Sequence, residues 1–142
     1  MANQDAPFGF RQVGGLGSRP TSEGTSKYTI AASFADSIFA GDIVEAGAGT
    51  SEGGTAIAAG YVGNAAATSS SRNLGIFNGC FYTDPTTAKP TFKNYWPTGT
   101  AAETQAFVYD NPDDLFEVQA TGILVRATVS RACDMAYTTG AT

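Results

Sequence analysis

The stretch from Gln105 to Val129, QAFVYDNPDDLFEVQATGILVRATV, decides the fold class. Its apolar runs are short and rich in Phe, Val, Ile and Tyr, which favour strands over helices. Asp, Asn, Pro and Gly separate these runs, and such residues favour turns. We therefore expect a hairpin in which Gln105–Tyr109 and Leu115–Val118 pair around a turn at Pro112, followed by a further strand over Gly122–Val129.

The same pattern extends towards the N-terminus. Short runs of β-branched and aromatic residues alternate with turn residues, and no stretch keeps the apolar period of an amphipathic helix. Gly75 and Gly79 interrupt one run and predict a β-bulge or a close backbone contact there. The sequence predicts an all-β fold, a small β-barrel or sandwich, with a jelly roll as an alternative. The other expected strands are Tyr28–Ala32, Ser37–Phe39, Ile43–Val44, Thr55–Val62 and Asn73–Phe77.

Residues 1–26 differ in composition from the rest of the chain. Most of this segment is rich in Gly, Ser and Thr, so it cannot bury enough apolar area to offset the entropy lost on ordering. We expect an extended N-terminal arm over residues 1–26 and a β-rich domain over residues 27–142. The arm could fold back on its own domain or dock on a neighbouring subunit. Its candidate contact residues are Pro7, Phe8, Phe10 and Arg11.

Residues 80–97 form the most aromatic segment of the chain. Large aromatic side chains dominate the cores of small domains. Tyr and Trp are also enriched at the energetic centres of protein interfaces. Both interpretations remain open at this point. If the segment lies at a subunit interface, the candidate anchors are Tyr82, Tyr95 and Trp96.

The charge balance narrows the possible partners. The chain has 8 Lys and Arg against 13 Asp and Glu, for a net charge of -5. Nucleic-acid binding requires basic side chains opposite phosphates, and no basic cluster occurs in this sequence. No apolar run approaches the length of a membrane span of about 18–20 residues. We expect neither a nucleic acid nor a membrane as partner, and synthesis in a cytoplasm.

The residues that usually perform catalysis are scarce. The sequence has no histidine, which is the commonest general base and metal ligand. Asp110, Asp113 and Asp114 lack the spacing of an EF-hand calcium loop and are typical of a solvated turn. Cys80 and Cys133 are expected to be buried, reduced thiols, with a disulfide as the open alternative. The sequence predicts a protein that is not an enzyme, with no cofactor and no metal.

Several segments resemble the small virion proteins of tailed bacteriophages, especially phages of marine and fresh water. The resemblance lies in MANQDAPFGFRQVGGLG at the start, and then in ADSIFAGDIVEA, LGIFNGCFYTDP and FKNYWPTGT. The matching segments are spread over residues 1–118, which is most of the chain, and the resemblance fades after Val118. A looser similarity connects the order of strands and loops with the β-tulip barrels of lambda-like decoration proteins.

The resemblance implies a structural role in the phage head. Decoration proteins of this kind lie on the outer capsid surface as trimers and use an N-terminal arm to extend a sheet of the major capsid protein. The expected function is therefore to cement neighbouring major capsid subunits, and the expected assembly is a homotrimer. The alternative is a tail or head-fibre module that recognises a host surface, since fibre domains are also rich in β-structure, Gly and Thr.

Overall fold

The structure is a computed structural model that describes residues 8–17, 24–47, 49–51, 54–66, 73–98, 104–120, 123 and 125–131. These residues form ten strands and one short 3-10 turn at Arg126–Thr128. All strand pairings are antiparallel, and the prediction of an all-β fold is confirmed. The strands are β1 (Arg11–Gly15), β2 (Ser26–Ile30), β3 (Ile38–Phe39), β4 (Ile43–Ala46), β5 (Val62–Asn64), β6 (Asn73–Thr83), β7 (Pro90–Lys93), β8 (Tyr95–Trp96), β9 (Thr104–Tyr109) and β10 (Asp114–Glu117).

The main sheet has six strands and is organised around β6, which is its longest strand. The order across the sheet is β2-β9-β6-β4-β5. Along the second edge of β6, β4 pairs with its N-terminal half and β7 pairs with its C-terminal half. The other two sheets are two-stranded, β1 with β10 and β3 with β8.

Two glycines allow β6 to fit between its neighbours. The register between β6 and β9 shifts between Phe77 and Gly79, where Gly79 has a φ of +147°. A side chain at Gly79 would approach the carbonyl oxygen of Lys93 to 2.8 Å, and one at Gly75 would overlap the carbonyl oxygen of Tyr109. The prediction of a bulge or close backbone contacts at these glycines is confirmed.

The main core lies on the inner face of a strongly curled sheet. The first strand, β2, and the last, β5, come close to each other, but no backbone pairing joins them among the described residues. The described strands therefore form a sandwich-like arrangement and not a closed barrel. The buried residues of the main core are Ile30, Phe34, Ile38, Val44, Ile57, Val62, Phe77, Cys80, Tyr82, Trp96, Ala106 and Val108.

A second apolar cluster lies on the opposite, outer face of the sheet. Side chains alternate along a strand, so Ile43 and Ile76 point away from the main core that their neighbours Val44 and Phe77 enter. The ribbon of β1 and β10 covers this part of the outer face. Phe10 precedes the ribbon's first strand and, with Tyr109, Phe116 and Ala65, completes the cluster.

One expected strand pairing and two expected strands differ from those observed. The hairpin of Gln105–Tyr109 with Leu115–Val118 was the wrong pairing, because β9 is already paired with β2 on one edge and β6 on the other. After the turn, β10 leaves the sheet and pairs with β1 instead. Of the expected strand Thr55–Val62, only its last residue belongs to a strand, since Gly60 turns the chain at a φ of +85°.

The prediction of a strand over Gly122–Val129 is also wrong. Its described part contains the 3-10 turn, and its apolar side chains are exposed. β-Branched residues form a strand only where a neighbouring strand edge is available, and this segment pairs with no described strand.

Candidate protein-binding site

Phe10 attaches the N-terminal segment to the body of the protein. Its backbone N–H donates to the carbonyl oxygen of Gly41 at 2.9 Å. Its ring packs edge-to-face on Phe116, with 6.3 Å between ring centroids. Gly9 and Gly41 make this approach possible, because a side chain on Gly9 would lie 2.7 Å from the Gly41 carbonyl oxygen. In the single chain, residues 8–17 therefore lie against their own domain.

Phe8 and Arg11 behave differently from Phe10. The Phe8 ring is half exposed, and the Arg11 guanidinium lies 5.5 Å from its centroid. Arg11 also forms an ion pair with Glu117 on β10, which holds the guanidinium over the ring. The two side chains border an open cleft of about 600 Å³ whose floor includes Gly41 and Asn78. Pro7, the other predicted contact of this segment, lies outside the described residues.

The three candidate interface aromatics are placed mainly in the core. Trp96 has no exposed surface, and its Nε1 donates to the carbonyl oxygen of Phe34 at 3.2 Å. Tyr82 is also buried. Tyr95 is half buried and stacks on Phe39, with 6.2 Å between centroids. In the single chain, the rings of Trp96 and Tyr82 are therefore unavailable as surface anchors.

Lys93 lies over the edge of this aromatic group. Its Nζ is 5.1 Å from the centroid of Tyr95 and 5.8 Å from that of Tyr82. Contacts with the phenols of Tyr82 and Tyr95 raise the pKa of Lys93 above its ordinary value.

Cys80 lies nearby, buried and reduced, with its thiol donating to the carbonyl oxygen of Tyr95 at 3.3 Å. Burial raises the pKa of Cys80 to about 11, and the positive charge of Lys93 opposes this effect. Cys133 lies outside the described residues.

Sequence reasoning missed the exposed aromatic surface of the protein. Phe81, Phe92 and Phe107 point to the outer face of the main sheet, beyond the part that the β1–β10 ribbon covers. Alternation along β6 could have indicated this, because Phe81 lies between two core residues, Cys80 and Tyr82. The pairing of β6 with both β7 and β9, which brings the three rings together, could not be inferred from the sequence.

The described part of the chain contains no group of three or more acidic, Cys or His side chains that could hold a metal ion. None of its helical segments is long and apolar enough to span a membrane. No family model matches the chain, and comparisons with curated proteins and with solved structures give no significant match.

Proposed function

We propose that the protein is a structural virion protein that binds the outer surface of a bacteriophage head. In this role it cements neighbouring subunits of the major capsid protein and stabilises the shell against the pressure of packaged DNA. The proposal combines the resemblance of residues 1–118 with the geometry of the N-terminal segment. The observation that carries it is the exposed pair of Phe8 and Arg11 beside a Phe10 that is fixed to the body.

This arrangement gives the two phenylalanines different tasks. Phe10 attaches residues 8–17 to the body of the protein, through its ring on Phe116 and its backbone N–H on the carbonyl oxygen of Gly41. Phe8 presents an aromatic ring to a partner, and Arg11 adds a cation above that ring. Aromatic and Arg side chains are enriched among residues that dominate binding energy. The preceding residues, Pro7 included, would extend the contact by adding main-chain hydrogen bonds to an exposed sheet edge of the capsid protein.

In this mechanism the protein stabilises the assembled shell because it binds the assembled subunits and not the separated ones. A protein that contacts more than one capsid subunit buries its contact area only when these subunits are in place. Binding therefore lowers the free energy of the assembled shell relative to its separated subunits. In this proposal the partner is the major capsid protein, and the protein lies as a homotrimer on the outer capsid surface after synthesis in the cytoplasm of the bacterial host.

A pair of substitutions separates binding from folding. The double variant Phe8→Ala, Arg11→Ala should nearly keep the parental melting temperature, because Phe8 is half exposed and the Arg11 side chain is largely exposed. Its affinity for capsids that lack the protein should fall at least about tenfold, as expected for loss of an interface centre. Phe10→Ala is the matched control. It also removes a phenyl ring, but from a packed cluster, and it should lower the melting temperature. Parental capsid affinity in the double variant would overturn the proposal for this segment.

A further inference from the structure

A groove lies beside strand β10 of the ribbon that β1 and β10 form. It has a volume of about 350 Å³ and is bordered by β10, by the turn before β10 and by the start of β6. The partly buried side chains of Leu74, Tyr109 and Phe116 contribute its apolar lining. Asp110 and Asp114 also line the groove, and none of its described lining residues is basic. The groove therefore suits an apolar segment that carries positive charge.

The edge of β10 beside this groove is available for pairing. Among the described strands, β10 pairs only with β1, so its second edge has no strand neighbour. The second edge of β1 has no strand neighbour either, but the register shift between Gln12 and Gly14 places a bulge in β1. Bulges make an edge less suitable for the addition of a strand. The edge of β10 is therefore the one at which the ribbon can be extended.

The charges around this edge are mostly negative. Residues 11–15 and 110–117 comprise both strands of the ribbon and the turn before β10. They include one basic residue, Arg11, which is ion-paired with Glu117. They include four acidic residues, which are Asp110, Asp113, Asp114 and Glu117. One positive and four negative charges give a local net charge of -3, so a segment that docks here needs basic side chains.

Residues 125–131, here called the basic segment, have the matching properties. The segment contains Arg126 and Arg131 and no acidic residue, and all of its residues are exposed. Val125 and Val129 are exposed by more than half of their surfaces. In an extended conformation residues 125, 127 and 129 point to one face, and these are Val, Ala and Val. The basic segment is therefore a potential strand with an apolar face that its own chain does not cover.

We propose that the basic segment of one copy docks in the groove of a second copy and adds a strand to the edge of β10. Its apolar face would fill the groove, while its backbone groups pair with β10. Antiparallel pairing of Ala127 with Phe116 places Arg126 opposite Glu117. Arg131 then reaches the turn before β10, where the carboxylates of the groove lie. This self-association does not depend on the proposed capsid function.

Docking requires a change of conformation in the basic segment. The 3-10 turn at Arg126–Thr128 has to become extended. In the single chain Ser130 has a φ of +64°, which lies in the left-handed region that residues other than glycine adopt at a cost in free energy. An extended strand does not need this conformation, so docking removes that cost.

The proposed contact is head-to-tail, since the basic segment and the groove are different surfaces of the molecule. Such heterologous contacts close into rings or continue as filaments. A closed ring of three copies would be a homotrimer in which every groove is occupied. The surface involved differs from the one around Tyr82, Tyr95 and Trp96 that the sequence suggested.

Mass measurement by light scattering over a range of protein concentrations tests the proposal with the full chain. The parent should associate, while Val129→Asp and Arg131→Glu should each raise the dissociation constant by at least about tenfold. Lys89→Glu is the matched control, because it reverses the charge of another exposed basic residue, and it should associate like the parent. These three variants should keep the parental melting temperature, since each changes an exposed side chain.

A charge exchange provides a sharper outcome. Asp114→Lys reverses a charge of the groove and should also weaken association. Mixed with Arg131→Glu, it should restore association, because the altered segment of one variant then matches the altered groove of the other and the two unaltered surfaces also match. Gln12 donates a hydrogen bond to Asp114, so Asp114→Lys is expected to be less stable than the parent. If it does not fold, the substitutions in the basic segment decide the question.

A parent that stays monomeric at its highest soluble concentration would overturn the proposal. So would Arg131→Glu or Val129→Asp variants that associate like the parent, or a mixture of folded charge variants that associates no better than either variant alone. None of these results involves the capsid, so they are distinct from failure of the proposed function.

Discussion

At the scale of single residues, burial divides the aromatic side chains into two groups. Trp96 has no exposed surface and uses its indole N–H within the core, whereas Phe92 is mostly exposed although it lies only four residues earlier. Trp96, on β8, belongs to the main core, whereas Phe92, on β7, lies on the outer face of the main sheet. The first group stabilises the fold, and the second is available for contacts with other molecules.

Substitutions at these two positions should have different effects on stability. Trp96→Ala should lower the free energy of unfolding by about 3–5 kcal/mol, because it opens a large cavity in the main core. Phe92→Ala should change it by less than about 1 kcal/mol, because the ring is largely in solvent already. Denaturant unfolding of both variants gives the comparison. Equal effects at the two positions would contradict the assignment of Trp96 to the core.

The buried thiol of Cys80 should be unreactive in the native state and should affect stability at alkaline pH. Burial raises its pKa from 9.0 to about 11, so the folded state favours the neutral thiol. Its contribution to stability is fully present below pH 9 and is lost as the pH rises through about 11.

A Cys133→Ser variant isolates this group in a thiol-labelling experiment. Cys80 should react only after unfolding, and the denaturation midpoint should fall between pH 9 and 11. Adding Cys80→Ala provides the reference for other titrating groups, among them Tyr28, whose pKa is raised by its hydrogen bond to Asp110. Rapid labelling of Cys80 in the folded protein would contradict its burial.

At the scale of elements, local composition predicted where most strands occur but not how they pair. The runs at β2, β4 and β6 were recognised because β-branched and aromatic residues mark a pleated, half-buried surface. The pairing of β10 depends on which edges are already occupied, and this is a property of the whole sheet. For the same reason the strand over Gly122–Val129 was expected, although its described residues pair with no strand of their own chain.

The N-terminal segment includes both a structural part and an exposed part. Deleting residues 2–17 should lower the free energy of unfolding by at least about 2 kcal/mol more than deleting residues 2–7, because it removes Phe10 and strand β1. The second cluster would then lose its cover. Thermal unfolding of the two truncated proteins measures the difference. Equal stability would show that the β1–β10 ribbon does not stabilise the domain.

At the scale of the whole molecule, the fold class could be predicted and the exposed aromatic surface could not. Short runs, turn residues and the lack of a helical period are local features, and they were sufficient for an all-β assignment. The exposed Phe81 and Phe92 and the half-buried Phe107 come together from three different strands, β6, β7 and β9. Likewise, whether Phe8 or Phe10 is exposed depends on the close contact between Gly9 and Gly41.

We propose that the protein lies on the head of a phage particle. If a phage encodes it, a three-dimensional reconstruction of purified particles of that phage is the decisive measurement. We expect density for this all-β domain on the outside of the head, in clusters of three around local threefold positions, with the N-terminal segment in contact with the major capsid protein. Copies found only at the tail or its fibres, or particles without the protein, would show the proposal to be wrong.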